Sequence, residues 1–156
     1  MATDNKPRVI IENWTELIIT GVYQEIIVTA RSYLKTPYVH QGRVKGIGID
    51  CAGLVICVAR ELGLSDFDVD GYGRRSEGVE MFELFRKVCG EPIERPRPGD
   101  ILMFEKGDWR HCGIFSMMED ASIIHTHRLA KACVEHRLDD YWRNLIYSAF
   151  RFPGVV

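Results

Sequence analysis

Cys51 is the residue whose surroundings point most directly to chemistry. It follows a glycine-bearing stretch, Gln41 to Ile49, and stands in the first turn of a strongly apolar segment with helical spacing. Unpaired backbone N–H groups and the positive end of the helix dipole meet at such a position, and both favour thiolate over thiol. A small residue such as Gly48 leaves room above the sulfur, as attack on an acyl carbon requires. Asp50 works in the opposite sense, because its charge disfavours a neighbouring thiolate. Its carboxylate must therefore point away from the sulfur or serve another purpose, and capping the helix is one such purpose.

A thiolate that displaces an amine also needs a proton donor, and histidine titrates close to neutrality. His111 opens the segment His111-Cys112-Gly113-Ile114-Phe115, and a residue on the next strand, His125 or His127, could accept its second ring N–H and fix its tautomer. Parity gives a test. On an antiparallel pair, His111 and His125 share a side only if the connecting loop has an odd number of residues or a bulge intervenes, and His127 then shares it too. Spacing leaves the choice between His125 and His127 open.

The other candidates are weaker. Cys57, Cys89, Cys112 and Cys133 read as core or edge thiols. An odd total of five cysteines, irregularly spaced behind a polar start, argues for reduced thiols rather than a disulfide framework. A zinc site built from Cys112, His111, His125 and His127 is disfavoured: there is no Cys-x-x-Cys or His-x-x-x-His pair, and adjacent strand residues point to opposite faces. Gly71-Tyr72-Gly73 lacks the preceding strand and third glycine of a dinucleotide fingerprint. No metal and no cofactor is expected. Trp14, Trp109 and Trp142 are scattered, and Arg74-Arg75 reads as solvated surface.

These residues need elements to place them. Val22, Ile26, Ile27, Ala30 and Leu34 recur at helical spacing and stop before Thr36-Pro37, since a residue preceding proline is pushed out of the helical region. Gln41 to Ile49 reads as a loop. A second helix starts at Asp50, presents Leu54, Val55, Val58, Ala59 and Leu62 on one face, and stops at Gly63. A third covers Gly78 to Val88. After the turn Arg95 to Asp100, where Pro98-Gly99 suits a type II geometry, come five strands: Ile101–Phe104, His111–Met117, Ser122–Thr126, Ala132–Arg137 and Leu145–Phe150. Helices followed by a run of antiparallel strands predict an α+β domain, residues 22–156, with the helices packed on one sheet. Residues 1–21 form a leading extension whose pattern does not decide between strand and helix.

Composition sets the outer bounds. The chain has 156 residues, enough for one sizeable core. Its apolar fraction of 46% and charged fraction of 27% exclude disordered and fibrous classes. A net charge of −2 with interspersed signs supplies no general field for nucleic acid or an anionic membrane. No apolar run approaches the roughly 20 residues that span a bilayer, and the start lacks a secretory core. The expectation is synthesis and folding in a cytoplasm, with neither a nucleic-acid partner nor a membrane span.

With these residues in view, a resemblance emerges. Gly48-Ile49-Asp50-Cys51-Ala52-Gly53-Leu54-Val55 resembles the nucleophile motif of the NlpC/P60 family of papain-like cysteine peptidases. Thr36-Pro37-Tyr38-Val39, Arg97-Pro98-Gly99-Asp100-Ile101, His111-Cys112-Gly113-Ile114-Phe115 and Ile123-Ile124-His125 resemble its other segments, in the family's order, between about Ile26 and Phe150. The resemblance implies a papain-like fold and hydrolysis of peptide bonds in peptidoglycan stem peptides, typically γ-D-Glu to a diamino acid. It implies Cys51 as nucleophile, His111 as base and acid, and His125 as the orienting third residue, with His127 as alternative. Tyr38 would help hold the oxyanion or the substrate amine. Asp50 would pair with a free α-amino group of the stem peptide, and the Cys51 N–H would complete the oxyanion hole.

Tyr38-Val39-His40-Gln41-Gly42, the nucleophile motif and Asp70-Gly71-Tyr72-Gly73 are closest to phage and prophage members, which implies a tail or lysis role and phage tail proteins as partners. A wall-anchoring domain is not evident, so targeting is expected from a partner or a particle. Ala52 stands where serine is common, His40 where a large residue such as tryptophan is frequent, and Cys112 where an aliphatic is usual. The first two motivate a competing expectation of a non-wall amidase or thioesterase. The leading extension motivates another, a catalytically silent tail-assembly subunit.

Overall fold

The computed structural model describes residues 8–15, 18–73 and 80–156. Helix α1, Gly21–Arg31, buries Tyr23, Ile26, Ile27 and Ala30. It ends before Leu34 because the chain turns away to pair with the sheet: the Lys35 N–H donates to the Cys133 carbonyl and the Tyr38 N–H to that of Lys131. The stretch expected as a loop, Gln41 to Ile49, is instead a tight ribbon of two short strands, β1 Arg43–Val44 and β2 Gly48–Ile49. Strands of two residues are too short to leave an alternating signature, which is why the pattern reads as a loop.

Helix α2, Cys51–Glu61, starts where expected, with the Asp50 carboxylate accepting from the Gly53 N–H at 2.8 Å. Gly53 through Ala59 are all buried, so this helix is enclosed on more than the single face its pattern suggested. Helix α3 runs Glu80–Cys89; the first two residues of the expected helix, Gly78 and Val79, lie outside the described residues, as does the Arg74-Arg75 pair.

The five expected strands are present as β3 Ile101–Lys106, β4 Trp109–Met117, β5 Ala121–His127, β6 Ala132–Arg137 and β7 Ile146–Phe150. They form one antiparallel sheet in the order β6-β5-β4-β3-β7. The turn before β3 closes with the Asp100 N–H on the Arg97 carbonyl, and Gly99 takes φ +101, the geometry that Pro98-Gly99 implied. Asp100, fully buried, then accepts both arms of Arg151 at 2.9 Å, tying the start of β3 to the end of β7.

A short helix, α4 Asp140–Leu145, went unanticipated. Its six residues carry too few apolar positions for a period, although Asp139 is a legible cap and accepts from the Trp142 N–H. One sheet face packs Met103, Cys112, Ile114 and Ile124 against α1, α2 and α3. The opposite face packs Leu102, Phe104, Phe115 and Ile123 under α4 and under Val9, Ile11 and Trp14 of the leading segment. Residues 8–15 carry no regular element; they lie along this face, with the Ile10 N–H on the Glu94 carbonyl and Arg97 over the Trp14 ring. Among the described residues no helix is long and apolar enough to cross a membrane.

Candidate active site

Cys51 begins α2, half-buried, at the floor of a cleft of about 430 Å³ whose walls include Tyr38, Asp50, His111, His127 and Trp142. The backbone of Tyr38 is held between β2 and the β6 edge by bridges through Tyr38 to Ile49 and Pro37 to Ala132, which sets its side chain in the cleft wall.

Asp50 is buried, and each carboxylate oxygen is occupied twice. Oδ1 accepts from the Gly53 N–H and from Arg43 at 3.2 Å; Oδ2 accepts from the Gln41 N–H at 2.7 Å and the Tyr72 hydroxyl at 2.6 Å. Arg43 also reaches the Tyr72 hydroxyl and Asp68, and His40 bonds the Tyr72 carbonyl at 3.1 Å. The carboxylate is thus turned into the loop and away from the sulfur, as its charge requires. A substrate amine at Asp50 would have to displace one of four donors.

On the other side of the sulfur, the β4–β5 loop spans residues 118–120, between the paired Met117 and Ala121. Its length is odd, so His111, His125 and His127 share a face. His125, not His127, bonds His111, with His111 Nε2 2.6 Å from His125 Nδ1. The His127 ring stands edge-on to His111 at 6.0 Å. Gly113 makes the close packing possible: a methyl group there would lie 2.8 Å from His125 Cβ and 2.9 Å from the Ile124 carbonyl. His125 continues the row, its Nε2 2.7 Å from His136 Nε2, and His136 Nδ1 lies 2.9 Å from the Arg137 carbonyl. Trp109 stacks on His111 at 5.0 Å, and Trp142 meets His125 edge-on at 4.9 Å.

The electrostatics follow. The Cys51 thiol is held well below its usual range by a hydrogen bond from Cys112 and by the charge and hydrogen bond of His111, against burial and Asp50, which raise it. Cys112, fully buried on the helix-facing side of β4, keeps its proton for the same reason, and its thiol is pushed up. Burial, with His111, His136 and His127 alongside, holds His125 well below the ordinary histidine value, and burial lowers His127 to about 4. Both rings are neutral at pH 7.

The structure therefore brings Cys51, His111, His125, Tyr38 and Asp50 to one place. Several participants escaped the sequence reading, the Trp109 ring on His111 and the Tyr72 hydroxyl on Asp50 among them. His136 was legible in principle: the loop 128–131 has an even number of residues, and β6 pairs Val134 with His125, which puts His136 on the diagonal beside that ring. Cys112 was assigned to the core, where it lies, yet it touches the nucleophile. Trp142 rides on the missed α4, and Arg43 sits in the missed ribbon. Among the described residues no group of three or more His, Cys, Asp or Glu is arranged to hold a metal ion.

The sequence profile of the NlpC/P60 family matches residues 35–151. The chain is 28% identical over 135 residues to the γ-DL-glutamyl hydrolase of Bacillus subtilis, a match covering 84% of this chain and 30% of that protein. It thus spans about a third of that relative's length. Among solved structures, an NlpC/P60 family protein from Bacillus cereus is similar with TM-score 0.60 at 21% identity, over 85% of this chain and 41% of the other. The NlpC/p60 domain of the peptidoglycan hydrolase SagA aligns with TM-score 0.55 at 19% identity, over 83% and 98% of the two chains. At these identities the structural likeness speaks to the fold.

Proposed function

Since this chain belongs to the NlpC/P60 family, we propose that it is a cysteine endopeptidase that hydrolyses peptidoglycan stem peptides through Cys51, His111 and His125. One observation carries the reading. His111 spends Nε2 on His125, so Nδ1 is the ring nitrogen left for the Cys51 sulfur. A sulfur at a helix start, an imidazole with one free nitrogen and a fixed partner behind it are the parts of nucleophilic acyl transfer.

In this mechanism the Cys51 thiolate attacks the carbonyl carbon of the γ-D-Glu amide, and the oxyanion forms against the Cys51 N–H and the Tyr38 hydroxyl. The carbon–nitrogen bond breaks as His111 delivers the Nδ1 proton to the leaving amine. Water then gives a proton back to Nδ1 and attacks the thioester, releasing the acid and regenerating the thiolate. The cleft suits a substrate rich in carboxylates. Lys106, Arg110 and Arg128 stand in its wall, and the acid among the described lining residues is the fully bonded Asp50. The likeness to a γ-DL-glutamyl hydrolase supports the same bond class.

Mass spectrometry of muropeptides after incubation with walls tests activity and bond choice together. The wild type is expected to release fragments cut after γ-D-Glu, and Cys51→Ala none; intact walls of several chemotypes after wild-type treatment would overturn the reading. We further propose a phage or prophage setting, with cytoplasmic synthesis and delivery to the wall alongside tail proteins. Its support is the resemblance of the residue 38–42, 48–55 and 70–73 segments to such members.

A further inference from the structure

The row of imidazoles has a direction. A neutral ring carries one N–H donor and one acceptor nitrogen, so in a chain of such rings each choice dictates the next. One end of this row is fixed by a group that can only accept: the Arg137 carbonyl, 2.9 Å from His136 Nδ1. His136 must therefore carry its proton on Nδ1, and in the neutral ring Nε2 is an acceptor. Across 2.7 Å the donor is then the His125 Nε2–H, which leaves His125 Nδ1 as acceptor. Across 2.6 Å the donor is the His111 Nε2–H, and the bare nitrogen of His111 is Nδ1.

We propose that His136 is a positioning residue which, anchored on the Arg137 carbonyl, sets the tautomer of His125 and through it leaves His111 Nδ1 free to hold the Cys51 proton. The inference rests on the assignment of Cys51 and His111 as the reacting pair. The opposite polarity would disarm the site. If His125 carried its proton on Nδ1, His111 Nε2 would have to accept, its Nδ1 would already be protonated, and no nitrogen would remain for the thiol. A thiolate–imidazolium pair would then set two N–H groups against each other. Burial gives the constraint its force: His125 is fully buried under Trp142, where bulk solvent does not reach its ring. His136 is half-buried at the outer end, where Trp142 also packs on it at 5.5 Å.

The test uses two variants that divide the functions of the ring. Glutamine places an acceptor oxygen as many bonds from Cα as Nε2, whereas asparagine places its amide where Nδ1 stands and leaves nothing facing His125. Long-range proton–nitrogen NMR of the five histidines reads tautomers directly, and alkylation of Cys51 against pH reads the ion pair. In the wild type, His136 is expected as the Nδ1–H form and His111 and His125 as donors through Nε2. His136→Gln should preserve both signatures. His136→Asn should mix the His125 tautomers and move the onset of Cys51 alkylation up by about one pH unit, a roughly tenfold slowing at pH values below that onset. Equal behaviour of the two variants, or an Nε2–H His136 in the wild type, would overturn the proposal. Neither readout needs a wall substrate. Inactivity toward muropeptides with the tautomers as stated would count against the substrate, not against the relay.

Discussion

On one side of Cys51, four donors from the Gln41–Gly53 stretch and Tyr72 converge on the single carboxylate of Asp50. On the other side, three imidazoles from β4, β5 and β6 stand in a row that ends on a backbone carbonyl. Both networks are largely buried and bonded at every atom the chemistry concerns, yet they are built for opposite ends. The convergent one immobilises a negative charge beside a sulfur that must itself become negative; it is stiff because each oxygen is held twice. The linear one keeps a proton acceptor pointed in one direction; it needs only that no ring turn over. Fixing a charge takes many partners at one point, whereas fixing a tautomer takes one partner at each of several points.

Removing the focus of the convergent network should have the largest effect, and it should fall on stability. Asp50→Ala leaves the Gly53 and Gln41 N–H groups, the Tyr72 hydroxyl and one arm of Arg43 without their buried acceptor. The expected loss is about 3–5 kcal/mol, measured by urea unfolding. Reactivity should move the other way: with the nearby negative charge gone, one of the two influences that raise the Cys51 thiol disappears, and alkylation should persist to lower pH. Stability and reactivity falling together would show that Asp50 also positions the sulfur, and the contrast between the networks would fail.

The two networks were unequally legible in the sequence, for physical reasons. Cys51 and Asp50 sit at a helix start, where capping chemistry and the onset of an apolar period coincide within two residues. His111 and His125 follow from strand alternation once the three-residue loop is granted. The Arg43 and Tyr72 contacts to Asp50 arise from a chain reversal through a two-residue ribbon and an irregular loop, which no periodicity encodes. His136 was lost for a different cause. Its face is fixed by parity, but parity carries across two loops in succession, and each strand end must be known to the residue. The choice of His125 over His127 depends on Gly113, whose missing side chain lets the His125 ring approach β4.

That glycine gives the means to break the linear network without touching a histidine. In Gly113→Ala the added methyl meets His125 Cβ at 2.8 Å and a backbone oxygen at 2.9 Å, and in mid-strand neither can yield freely. The expected cost is about 1–3 kcal/mol of stability from overpacking, with a fall in kcat of about tenfold or more as His125 leaves His111. KM should stay near the wild-type value, because Gly113 is not among the cleft-lining residues. A rise in KM at constant kcat would place the damage in the cleft wall instead.

The smallest effect is expected where the two networks meet, at the sulfur itself. Cys112 belongs to neither; it reaches Cys51 from the helix-facing side of β4, and its hydrogen bond is the strongest of the influences that lower the Cys51 thiol. A depressed thiol stays ionised as pH falls below the ordinary range and loses its reactivity only when pH passes through the lowered value. Cys112→Ala removes the donor, so the onset of Cys51 alkylation should move up in pH, by about one unit for a hydrogen bond to a charged group. Cys112→Ser keeps a donor at that position and should leave the onset close to the wild type. His111 acts on the sulfur independently of Cys112, so the alanine variant should retain a thiolate more acidic than a free cysteine. If the onset in Cys112→Ala reached that of an ordinary thiol, the imidazole row would contribute nothing to ionising Cys51, and its role would be confined to moving the proton once substrate is bound.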